Sequence, residues 1–221
     1  MASTKAHQRY RLKPTKEFPR GEIVPGVTTI ISNQLAWNKN ALIAWARREA
    51  LAGKDPNKIR DEAADSGTCT HYLIECHIKG IEPDLKDFTQ AQIDKAETGF
   101  LGFLDWEKDN KLDYEKIEYG VVNSVYRYGG TIDMIAKKNG SIWLLDLKTS
   151  KGIYAEHKIQ VAAYSKALTN QDDIIPDEHH ILQISKETGA FQHHKLSDRD
   201  IENGWQVFCL CRHLYDLQKR F

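Results

Sequence analysis

The sequence predicts an α/β protein in which a central mixed sheet is flanked by helices and preceded by a helical amino-terminal part. Three observations predict it. Between residues 37 and 111 the apolar positions recur at helical spacing. Between 114 and 147 three runs rich in β-branched and aromatic residues follow one another, separated by short turns. A further helical stretch, 154–168, then precedes two more such runs. The order helix, three strands, helix, strands calls for a sheet covered on both sides.

In chain order, residues 1–21 read as a basic flexible tail, with Lys5, Arg9, Arg11, Lys13, Lys16 and Arg20 against Glu17. The run is either a local polyanion-binding patch or simply a solvated tail. Residues 22–32 read as an incoming strand or extended loop broken by Pro25-Gly26. Trp37 to Ala52 is a helix closed by Gly53. Asp55-Pro56 opens the next helix, which runs roughly from Ile59 to Ile78 and stops near Gly80. After a loop at Pro83, Thr89 to Lys111 forms a third helix with Ile93, Ala96, Phe100, Phe103, Leu104 and Trp106 available for packing. The strands follow at Tyr114–Val125, Arg127–Lys137 and Ser141–Leu147, the last two turning at Lys138-Asn139-Gly140. Tyr154–Leu168 is a helix. Strands His179–Ser185 and Ala190–Lys195 flank a Glu187-Thr188-Gly189 turn, and Ser197 caps a last helix that reaches about Gln218. Residues 22–221 thus read as a single domain, with a helical part at about 33–111 and a sheet core at about 112–221.

With 221 residues, the chain is long enough to bury a full core. Lys plus Arg and Asp plus Glu number 31 each, so any polyanion-binding surface must be local. No apolar stretch approaches the length of a membrane span and the amino terminus has no apolar signal core, which implies no membrane partner and a soluble intracellular protein. Cys69 and Cys76 lie on one predicted helix and Cys209 and Cys211 on another. That spacing fits neither an iron–sulfur cluster nor zinc, and reads as buried free thiols. The doublets His179-His180 and His193-His194 read as surface histidines on strands.

The chemistry concentrates between Gly129 and Tyr164. Asp146 closes the apolar strand Ile142-Trp143-Leu144-Leu145, where a carboxylate is costly unless it pairs or holds a metal. Alternation puts Asp146 and Lys148 on one side and turns Leu147 into the core, with its carbonyl near the site. The Asn-Gly hairpin brings Asp133 beside Asp146. Two carboxylates and a carbonyl make a hard oxygen site for Mg²⁺ or Mn²⁺, and a neighbouring lysine can orient water and offset phosphate charge. Upstream, Gly67-Thr68-x-x-His71-x-x-x-Glu75 lays Thr68, His71 and Glu75 along one helical stripe. Taken alone, His71 is better explained by a satisfied hydrogen bond in a partly buried position; beside the downstream motifs the balance reverses.

These residues resemble the PD-(D/E)XK nuclease superfamily in its RecB-like exonuclease branch. The likeness rests on Gly130-Thr131-Ile132-Asp133, Leu145-Asp146-Leu147-Lys148-Thr149-Ser150, Gln160-x-x-x-Tyr164 and the His71 helix, although no proline precedes Asp133. It extends to Val27–Ser32 and the helix after it, and so spans most of the chain. The resemblance implies a restriction-endonuclease-like core and a divalent-metal DNA exonuclease of single strands or flaps, serving replication, repair or recombination. A bacterial or phage-infected cytoplasm suits it better than an organelle. It implies His71, Asp133, Asp146 and the Leu147 carbonyl as metal ligands and Lys148 as the catalytic lysine. Glu118 takes the place of a first-strand glutamate that ligates a second metal or the first metal's water; the alternative is an ordinary strand residue. Gln160, Tyr164, Thr68, Thr149 and Lys151 would contact substrate, with Glu75 in support. Helix-to-sheet packing explains Tyr164 equally well. An endonuclease on the same core and a catalytically silent DNA-binding module are the rival readings. Protein partners are not indicated.

Overall fold

The computed structural model describes residues 9–221. Its elements run β1 (Tyr10–Arg11), β2 (Ile23–Val24), α1 (Val27–Gln34), α2 (Lys39–Leu51), α3 (Pro56–Lys79), α4 (Gln90–Asn110), β3 (Asp113–Asn123), β4 (Tyr128–Lys138), β5 (Ser141–Lys148), α5 (Ala155–Asp172), β6 (Glu178–Ile184), β7 (Phe191–Lys195) and α6 (Asp198–Gln218). The five-stranded sheet has order β3-β4-β5-β6-β7. Its one parallel pair, β5 with β6, is bridged by α5, and the other neighbours are antiparallel. This is the mixed sheet with flanking helices and a helical front part that the sequence predicts.

Two apolar clusters lie on the two faces of the sheet. Val27, Ile30, Tyr128, Leu144, Val161, Leu168 and Phe208 join α1, α5 and α6 to one face. Ile74, Phe103, Met134, Leu145, Leu147 and Leu182 join α3 and α4 to the other. Local signals set the ends of these helices. Asp55 accepts from the Asn57 amide at 2.9 Å with Pro56 behind it, and Gly80 closes α3 at φ 64°. Thr89 and Ser197 form capping boxes with Gln92 and Asp200. Asn139 and Gly140 both have positive φ, as the two-residue hairpin requires.

Three expectations are corrected. The tail divides: residues 1–8, with Lys5, lie outside the described residues, whereas Tyr10–Arg11 pairs with Ile23–Val24. Arg11 also donates to the Gly21 carbonyl at 3.0 Å, so the chain from Tyr10 onward is structured. Second, Val27–Ser32 is helical rather than extended. Its β-branched residues are weak helix formers, but Val27, Ile30 and Ile31 lie on one stripe that the sheet and the last two helices bury.

The third correction concerns the histidines. Because helices cover both faces of the sheet, alternation does not carry either residue of the first doublet to water. His179 bonds Ser165 Oγ at 2.8 Å. His180 is buried, its Nδ1 is 2.9 Å from His193 Nε2, and its ring centroid is 4.0 Å from that of Trp143. Burial pushes His179 and His180 down to about 4. The unfolded chain, with histidine near 6.5, therefore binds more protons than the folded one below that pH. Stability contributed by the neutral rings is complete above pH 6.5 and is lost progressively as pH falls towards 4. Urea titrations across this window should show the midpoint falling with pH, and His180→Gln should flatten the fall; an unchanged slope in the variant would show that His180 does not contribute.

Candidate metal centre

The site forms where β3 and β4 exchange faces. Ile117 and Met134, which are register partners, belong to the α3/α4 side. Two residues further along, the next partners Tyr119 and Ile132 belong to the α5/α6 side. Regular alternation would keep residues two apart on one face. Between the two pairs lies Glu118, whose φ of 51° is left-handed. Holding a non-glycine residue there costs about 1–3 kcal/mol. The twist turns Glu118 and Asp133 outward at the boundary between the two helical layers.

There they meet α3. Ligand atoms of His71, Glu118 and Asp133 all lie within 4.8 Å of one another. His71 Nδ1 stands 3.7 Å from Asp133 Oδ1. Asp133 Oδ2 accepts the Leu147 amide at 2.7 Å, so the residue expected to present its carbonyl is seen through its N–H. Since Met134 pairs with Leu145, Asp133 and Asp146 occupy adjoining places in the hairpin, as the Asn-Gly turn predicts. Asp146 lies outside the three-ligand group. Its side chain is buried and forms an ion pair with Lys148 through Oδ2.

The electrostatics follow from crowding charges in a buried place. Burial pushes the Asp146 carboxyl up to about 6, with Asp133 adding and Lys148 opposing. Burial would also raise Asp133, but the His71 charge and hydrogen bond, Lys148 and the Leu147 amide outweigh it and hold that carboxyl down. Burial opposes the charged form of His71, while Asp133 and then Glu118 favour it, and the net shift is upward. One nitrogen and two carboxylates, with a third, buried carboxylate beside them, form a donor set suited to a divalent cation, and the carboxylates suit Mg²⁺ or Mn²⁺.

His71, Glu118 and Asp133 open into a cavity of about 410 Å³ that Tyr10, Thr28, Thr68, Thr149 and Tyr164 also line. The Tyr164 hydroxyl accepts from Gln160 at 2.7 Å, while its ring lies against Gly130, where an added Cβ would come within 2.3 Å. Burial and the nearby Asp146 raise the Tyr164 hydroxyl far above its ordinary value. Thr68 Oγ1 bonds back to the Ala64 carbonyl at 3.0 Å. Glu75 reaches Lys79 at 2.6 Å, one turn further along α3. Lys151 is exposed on the loop after β5.

Sequence reasoning missed Tyr10 and Lys186, and gave Thr28, within the Val27–Ser32 likeness, no place at the site. Tyr10 bonds Thr131 Oγ1 at 3.1 Å, and the Lys186 ammonium donates to the Ala63 carbonyl and stands 3.5 Å from where a Gly67 Cβ would lie. Burial and Lys95 lower the Lys186 pKa. Tyr10 and Thr28 line the cavity, and Lys186 meets α3 beside it, all through tertiary packing.

No protein-family profile and no curated protein matches the sequence. Among solved structures, one from Eubacterium rectale described as that of a candidate exonuclease aligns at 13% identity and a TM-score of 0.49. The alignment covers 66% of this chain and 64% of that one, so this chain spans just under two thirds of that neighbour. LHK-Exo, solved in complex with dAMP, aligns at 12% identity and a TM-score of 0.36 over 72% of this chain and 89% of its own. Neither likeness assigns a residue or an activity here.

A cation that binds only the folded state, at about 100 times its dissociation constant, adds about 2.7 kcal/mol. For a chain of this size that corresponds to a melting temperature higher by about 5–10 °C. Mn²⁺ should produce such a rise in differential scanning fluorimetry, and His71→Ala and Glu118→Ala should each remove most of it. Equal rises in parent and variants would place the ion elsewhere.

Proposed function

We propose that this protein is a divalent-metal-dependent deoxyribonuclease, acting as an exonuclease on single-stranded DNA or flaps. One observation carries the reading: the His71–Glu118–Asp133 ligand group lines one cavity, and the buried Asp146–Lys148 pair adjoins Asp133 across the hairpin. In this reading His71, Glu118 and Asp133 hold the ion, and Asp146 and the Leu147 carbonyl supply further oxygen donors. When bound, Mg²⁺ or Mn²⁺ polarises a phosphate oxygen and lowers the pKa of a water. The Lys148 ammonium orients that water and offsets charge gathering on the phosphate during displacement. Asp146 holds the Lys148 ammonium in place. Thr68, Thr149 and Lys151 offer donors to flanking phosphates. Gln160 holds the Tyr164 hydroxyl at the cavity wall, which keeps the tyrosine ring over Gly130.

Activity should require Mg²⁺ or Mn²⁺ and vanish in excess chelator. Lys148→Ala should lower the single-turnover rate by about 10²- to 10³-fold while circular dichroism shows the fold retained. A rate within about threefold of the parent would make Lys148 structural. Linear strands labelled at either end, assayed beside a circular single strand, decide between exonuclease and endonuclease. The circle should survive while the linear strand shortens from an end; a nicked circle would establish an endonuclease.

A further inference from the structure

Helix α6 has apolar residues on two faces, and the fold uses only one of them. Ile201, Gly204, Phe208, Cys211 and Arg212 are buried on its inner face. The outer face of a surface helix is ordinarily polar. Here Val207, Leu210, Leu214 and Leu217 run along it, with Leu210 66% and Leu214 50% exposed. Val207 and Leu217 are half-buried, Val207 against the edge of the core. Helix α1 borders this stripe on one side, where Gln34 donates to Gln218 at 2.8 Å, and leaves the leucines uncovered. Intervals of three, four and three residues are those of the a and d positions of a heptad. A stripe with that spacing stays in line with a second helix that carries the same spacing.

The charges beside the stripe are also arranged by end. On the border away from α1, the helical repeat places Glu202 near the start of α6 and Arg220 just past its end. Lys219 keeps right-handed helical angles and the Arg220 amide donates to the Leu217 carbonyl at 2.9 Å, so the last turn carries on through Arg220. Both side chains are exposed, and neither takes part in an ion pair among the described residues. Their neighbours differ in this respect: Lys158 holds Asp200 at 2.8 Å, and Asp216 pairs with Arg212. One border of the stripe therefore ends in an unmatched anion and an unmatched cation, a helix length apart.

We propose that this face of α6 is where two copies of the chain pair, antiparallel about a twofold axis perpendicular to the helix. Such an axis brings the same border of both helices together, end for end, and makes the contact self-complementary. In the register that sets Leu210 against Leu214 of the second copy, Val207 meets Leu217 of the second copy and Glu202 comes within a turn of its Arg220. The stripe and the two charges are thus satisfied by one arrangement. A parallel pair would turn the Glu202 border towards the α1 border of the other copy, which offers Gln218 and no cation at that end, and would align the helix dipoles unfavourably. One helix face is small beside the interfaces of obligate dimers, so the pair forms and dissociates with concentration. The pairing is independent of the nuclease reading.

The test is sedimentation velocity of the full chain at low salt, from about 1 µM to about 500 µM, a range that brackets micromolar association. The parent should move with concentration from the mass of one copy to that of two. Leu210→Glu combined with Leu214→Glu should remain monomeric throughout; both positions are exposed, and circular dichroism and melting curves check that the variant folds. Glu202→Arg and Arg220→Glu each set like charges together at both ends of the pair, and each should weaken association by about 3- to 30-fold. The two reversals in one chain should bring the dissociation constant back to within about threefold of the parent's. A parent that stays monomeric at every concentration overturns the proposal, and so does a leucine variant that still pairs. A mass that climbs past two copies overturns the closed twofold pair. Single reversals without effect, or a combined reversal that fails to restore association, overturn the antiparallel register.

Discussion

Asp146 is almost fully buried in the middle of the sheet, and the arrangement around it follows from keeping that carboxylate there. An isolated ion in such a place would take up a proton or unfold the strand. Lys148, two residues on and on the same face, supplies the opposite charge. Asp133 next to it would worsen the repulsion, and is offset from two other directions by the Leu147 amide and His71. Each group is tolerable only because the next is present. Removing one charge therefore disturbs the balance that holds the others.

The second constraint is the exchange of faces at Glu118. A sheet with helices on both sides normally directs every side chain into one layer or the other, leaving polar groups nowhere to gather. The left-handed residue breaks that rule at one point, so that β3 and β4 cross from one layer to the other and present Glu118 and Asp133 at the seam. Helix α3 from one layer and α5 from the other then reach the same cavity, with His71 and Tyr164. The backbone strain and the cluster coincide, a pairing common where geometry serves chemistry. Glycines complete the fit: Gly129 and Gly130 leave room for the rings of Tyr10 and Tyr164.

The same layering explains why α2 remains uncovered. Helices α1, α5 and α6 close one face of the sheet and α3 and α4 the other, so the sheet has no open surface left for it. Its apolar residues Leu42 and Ile43 line a groove together with Ile31 and Leu35.

The sequence by itself determined the helical front, the strand order through the Asn139-Gly140 turn, the caps at Asp55, Thr89 and Ser197, and the association of Asp133, Asp146 and Lys148. All of these rest on spacing within a few residues or on one hairpin. Only tertiary structure decided the rest. Val27–Ser32 has the β-branched composition of a strand, and becomes a helix because one stripe of it meets the core. His180 is buried because a helical layer covers the sheet face it occupies, which alternation does not reveal. Whether Glu118 joins His71 depends on a backbone twist at one residue, and Tyr10 reaches the cavity through a pairing with Ile23–Val24 that no local motif encodes. Local interactions are legible in a sequence because covalent geometry sets their spacing. Contacts between distant segments depend on how whole layers pack, and that is decided only when the chain folds.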